Sequence, residues 1–169
     1  MFPIARIRLL NMEKEKINYK RLVVWGGVII FLQMLIFSVL WANPFVKGIL
    51  SQFSTHSSIK TYEFIGGEEN WKIARLVFHI MFMAVCMCIY LAVQRVIPGT
   101  VLIKGAIFGL IISIIRFVPE SFNTWTLIEY PWQLVLLRLI NGFTSFILFG
   151  VLVSVIFERS KVIVKQAGS

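Results

Sequence analysis

Seven residues in very apolar surroundings have types and spacings that could do chemistry: Arg75, His79, Arg116, Glu120, Glu129, Arg138 and Asn141. Arg75 and His79 are four apart, so on a helix they share one face. Arg116 and Glu120 have the same spacing, with Pro119 between them in R-F-V-P-E. Arg138 and Asn141 are three apart, and Gly142 and Ser145 continue their side. A guanidinium presents a rigid fork of donors that grips a phosphate or carboxylate through two parallel bonds. Three arginines with a histidine, set against two glutamates, leave room for an anionic ligand or lipid headgroup. The competing reading is internal: Arg75, Arg116 and Arg138 pair with Glu120, Glu129 and backbone carbonyls and only fix the helices. Snorkelling to the surface is the third.

Enzymatic sets are scarce. The chain has no aspartate, which removes a Ser-His-Asp triad and an aspartyl dyad. No C-x-x-C, H-E-x-x-H or phosphate-cradling glycine loop occurs. Cys86 and Cys88, two apart, would point about 200° from each other on a helix, so they do not pair. His79 near Met81, Met83 and Met87 has no second intramembrane histidine with which to hold a haem, since His56 falls in a loop. No cofactor is expected, and a core histidine is the simpler assignment.

The elements that must position these residues are membrane helices. Of 169 residues, 58% are hydrophobic and 15% charged, too apolar for an ordinary soluble domain. Four apolar windows approach the ~20 residues needed to cross hydrocarbon: about 22–41, 73–97, 101–118 and 132–157. Their continuity, without alternation, predicts helices rather than barrel strands. The long polar leader and the missing A-x-A site make the first window an uncleaved span. Met12, opening M-E-K-E-K, is an alternative start. The expected fold is all-α: one polytopic domain over 1–169, four transmembrane helices in an antiparallel bundle. Pro98-Gly99 turns span two into span three, and Pro119 is expected to end span three.

The net charge of +9 is distributed as membrane topology rather than as a nucleic-acid footprint. Arg6, Arg8, Lys14, Lys16, Lys20 and Arg21 precede span one; Arg95 and Lys104 flank the turn after span two; Arg159, Lys161 and Lys165 follow span four. The other side carries Glu63, Glu68, Glu69, Glu120 and Glu129, with Lys47, Lys60 and Lys72 spread along a longer loop. Both termini are therefore expected in the cytoplasm. The seven polar residues then fall in the outer half, where Phe122, Trp125, Tyr130 and Trp132 form an aromatic belt or a lid. Gly105, Gly109 and Ser113 form a small-residue stripe for close helix contact. Gln33 and Ser38 serve helix packing or join the polar site.

At K-G-A-I-F-G-L, Lys104–Leu110, preceded by a short Pro-Gly turn in a four-span layout, the chain resembles small uncharacterised bacterial four-helix inner-membrane proteins. A Gly-x-x-x-Gly third span and a glycine-containing last span recur there, matched by Gly105, Gly109, Gly142 and Gly150. The resemblance covers spans two to four and implies a multi-pass cell-membrane protein, in the bacterial inner membrane. Those proteins have no established chemistry, so no functional residue carries over. The expected function is a non-catalytic membrane module, either an accessory subunit of a larger membrane complex or a lipid- or anion-binding protein. The alternative is a homodimeric transporter of a small anionic substrate. Every glutamate lies at or beyond an interface, which argues against a proton-coupled carrier needing a midplane carboxylate.

Overall fold

The computed structural model describes residues 15–53, 67–127 and 131–165. Glu129, His56 and Met12 lie outside the described residues. The element order is β1 (Glu15–Ile17), α1 (Tyr19–Ala42), α2 (Pro44–Gln52), α3 (Glu68–Val93), α4 (Val101–Leu127), α5 (Trp132–Arg159) and β2 (Ile163–Lys165). Among the described residues, α1, α3, α4 and α5 are long and apolar enough to cross a membrane. Their outward faces are apolar too: Val23, Val39 and Ile115 are 75%, 70% and 66% exposed. Water would penalise such a surface, whereas lipid tails would not.

Local chemistry sets the boundaries. Asn18 caps α1, its Oδ1 accepting from Arg21 N at 3.2 Å. Asn43 caps α2, accepting from Phe45 N at 2.9 Å, and Pro44 takes the first position, where no N–H is needed. This short helix lies within the stretch expected to be loop. It buries Val46 against Leu134 and Leu137 of α5. Gly99 turns the chain into α4 with φ +107°, a conformation that penalises any side chain.

α4 does not stop at Pro119; it runs on to Leu127. Proline removes one amide donor, the partner of the Ile115 carbonyl, without forcing the chain out of the helix. Beyond it, Thr124 and Thr126 hydroxyls donate to the Glu120 and Phe122 carbonyls at 2.7 and 2.8 Å. Arg116 and Glu120 therefore stand one turn apart on a continuous helix.

The closest helix contact is α4 against α5, backbone on backbone. A Cβ on Gly105 would sit 2.5 Å from the Gly150 carbonyl oxygen, and one on Gly109 2.7 Å from Ile147 Cα. The stripe thus meets span four, whereas its spacing left span two equally open. α1 adheres to α5 through buried Gln33, whose Nε2 donates to Ser145 Oγ at 2.6 Å. α3 is attached by its second half, where Met83, Cys86, Met87 and Tyr90 are buried. Tyr90 donates to Ser154 Oγ at 2.7 Å, and Ser154 donates to the Val101 carbonyl at 2.6 Å.

β1 and β2 pair antiparallel, with Glu15 opposite Lys165 and Ile17 opposite Ile163. Asn18 N donates to the Val162 carbonyl at 2.9 Å and Arg21 to the Ser160 carbonyl at 3.0 Å, extending the tie. The two ends of the described chain therefore lie together at one end of the molecule. The polar residues of interest lie at the other.

Candidate functional site

At the end away from the β-ladder, α3 separates from its neighbours. Among the described residues, its first half contributes none that is buried before Met83. The space between it and α1, α4 and α5 is a cavity of about 900 Å³. Five of the seven residues singled out by spacing line it: Arg75 and His79 from α3, Arg116 and Glu120 from α4, and Arg138 from α5. Asn141 is buried one turn further along α5 and is not on the cavity wall. Glu129 lies outside the described residues.

The three arginines have different surroundings. Arg138 Nη1 lies 3.5 Å from Glu120 Oε1, with both side chains 41% exposed, a loose and solvent-reachable pair. Arg75 stacks its guanidinium 4.9 Å from the Trp71 ring and 5.4 Å from Phe37. Arg116 is enclosed by aromatic rings: Phe82 at 4.2 Å, Phe117 and Phe146 at 5.5 Å, Phe78 at 5.7 Å. The space for Phe117 comes from Gly142, where a Cβ would lie 2.7 Å from that ring. Ring faces attract the cation but accept no ordinary hydrogen bond.

Arg116 Nη1 is consequently buried with no hydrogen-bond partner among the described residues. So are His79 Nε2 and Trp41 Nε1, two further nitrogens on residues of the same wall. Buried polar atoms nearly always find partners, and each exception asks for a reason. Asn141 Nδ2 and Gln33 Oε1 are also unpartnered, deeper in the fold. The wall is thus rich in hydrogen-bond donors and cationic. Among the described residues Glu120 is its sole carboxylate, against Arg75, Arg116, Arg138 and Lys72. Lys72 is paired with Glu69 at 2.9 Å. No three His, Cys, Asp or Glu side chains among the described residues gather as a metal would require.

Several expectations divide here. Ser38 lines the cavity, while its hydroxyl donates to the Met34 carbonyl at 2.8 Å; Gln33 is a packing residue. Phe122, Trp125 and Trp132 do not cover this cavity. They line a separate apolar groove of about 340 Å³ between α4 and α5 that shares no residue with it. The aromatic cage of Phe78, Phe82, Phe117 and Phe146 is what spacing alone missed. The signal was present: Phe78 and Phe82 are four apart and flank His79, and Phe117 adjoins Arg116.

Comparison of the chain with protein-family models, with curated proteins and with solved structures finds no match.

Proposed function

We propose that this protein is a multi-pass cell-membrane protein, a four-helix bundle with both termini in the cytoplasm. On this reading it acts as a non-catalytic module that binds an anionic group in its outer-half cavity. Four helices of sufficient length and apolarity, the pairing of β1 with β2, and the basic flanks at that end all support the topology. The observation that carries the function is the convergence of Arg75, Arg116 and Arg138 on one cavity whose sole carboxylate among the described residues is Glu120. A phosphate or carboxylate would add acceptor oxygens to a wall with one carboxylate among the described residues, and the arginines supply the charge to hold it. Binding is favoured over transport because the opposite half is filled: Ile29, Met83, Phe149, Val153 and Phe157 are all essentially inaccessible.

The test uses Trp41 and Trp71 on the cavity wall as reporters. Titrating inorganic phosphate into the full chain in neutral detergent should give a saturable fluorescence change that Arg116→Met weakens. A featureless titration for the parent, with short-chain phosphatidic acid as well as with inorganic phosphate, would count against the assignment. Topology is tested separately, by labelling cysteines introduced at Lys161 and Lys47 from either side of sealed vesicles. Protection of position 161 from the outside, with labelling at 47, is expected.

A further inference from the structure

The position of the cavity's mouth bears on what carries the anion. On the wall, Leu76 and Phe78 are 42% and 59% exposed, although both lie within the apolar span of α3. They form a rim, and that rim lies along the flank of a helix rather than at its end. Every described residue of α3 from Lys72 to Phe78 is exposed. The gap therefore runs from Lys72 down to Phe78, about 9 Å along the helix axis at 1.5 Å per residue. The cationic part is at the same level: Arg116 lies over Phe78 itself.

Helix lengths place this level near a bilayer boundary. α4 has 27 residues and α5 28, about 40 Å each, against a hydrocarbon core of about 30 Å. The surplus turns fall beyond the core, so Arg116, about 17 Å from the far end of α4, lies below the headgroup layer. A free inorganic anion would enter past Lys72 and the exposed Arg138–Glu120 pair and leave the apolar rim unused. A lipid phosphate starts in the headgroup layer above it, and its chains would lie against Leu76 and Phe78.

We infer that the occupant is the phosphate headgroup of an anionic phospholipid of the outer leaflet. It enters sideways through the gap beside α3, with Arg116, Arg75 and Arg138 around the phosphate and the acyl chains along the Leu76–Phe78 rim. This rests on the anion-binding reading above, and the experiment separates the two. The full chain, in nanodiscs of phosphatidylcholine with or without phosphatidic acid, is released for native mass spectrometry, and inorganic phosphate is titrated in parallel. A phosphatidic acid bearing a photoreactive group on its acyl chain then maps the contact.

The expected result is one retained phosphatidic acid per chain, preferred about tenfold or more over phosphatidylcholine. Arg116→Gln and, independently, Arg138→Gln should reduce that preference, whereas Lys104→Gln at the opposite end should not. Crosslinks should concentrate on residues 72–78. Two results overturn the inference: crosslinks spread evenly over the lipid faces of all four helices, or saturable binding of inorganic phosphate that phosphatidic acid does not displace. In the second case anion binding survives and lipid entry falls. If neither probe binds, both fall.

Discussion

Replacing Arg116 by methionine keeps most of the side-chain length and removes the charge and its donors. In the empty protein an unmade bond on a buried donor costs roughly 1–3 kcal/mol. The Phe82 face, 4.2 Å from Cζ, offsets about 0.5–2 kcal/mol of that. The two nearly cancel, so Arg116→Met should leave unliganded stability within about 1 kcal/mol of the parent, or raise it modestly, as apolar replacements of buried charges often do. Its effect on binding is the opposite. Losing one charge-assisted bond of about 1.5–3 kcal/mol weakens affinity roughly 12- to 140-fold. Reversible unfolding in mixed micelles reads both quantities at once. Ligand at 100 times the parent Kd should stabilise the parent by about 2.7 kcal/mol and the variant by only about 0.3–1.3 kcal/mol. The reasoning is refuted if the unliganded variant is less stable by about 3 kcal/mol or more, the signature of breaking a paired buried charge.

Glu120→Gln removes the carboxylate beside Arg138 and should tighten anion binding several-fold in the same titrations; weaker binding would mean that Glu120 orients the arginine instead. Ser145→Ala leaves Gln33 Nε2 with only the Ser145 carbonyl at 3.2 Å and should cost about 0.6 kcal/mol, typical of interhelical bonds in membranes. Combined with Gln33→Leu the loss should be less than additive in a double-mutant cycle. Gly109→Ala drives a methyl into the Phe146 carbonyl and should destabilise by more than about 2 kcal/mol, whereas Gly27→Ala, with nothing within 4 Å, should gain up to about 1 kcal/mol of helix stability. Thermal melts in one detergent compare the pair.

The sequence made the helices legible because their signal is length and continuous apolarity, which needs no knowledge of neighbours. Small-residue spacing similarly anticipated the α4 face, since Gly105 and Gly109 do meet another backbone. Two boundaries were misjudged for one reason. A proline was read as a stop at Pro119, where the surrounding turns hold the helix together, while the Asn43-Pro44 start signal of α2 sat inside an assumed loop. β1 and β2 were illegible in a stronger sense: three-residue strands at opposite ends of the chain carry no local pattern that names the partner.

The site was half legible. Depth along each span predicted that Arg75, His79, Arg116, Glu120 and Arg138 would lie at one level, and they share one cavity. What depth could not give was the division of labour. Whether Arg116 meets a carboxylate or phenylalanine rings depends on its neighbour Phe117 and on side chains from two other helices, α3 and α5. That is a packing outcome, and it leaves Arg116 Nη1 without a hydrogen-bond partner among the described residues.

The central claim is that this guanidinium waits for an anion. Isothermal titration of the full chain with short-chain phosphatidic acid below its micellar concentration tests it directly. The account predicts one saturable site per chain that Arg116→Met weakens at least tenfold. Saturation unchanged by that substitution, or no saturable heat from the parent, would contradict it.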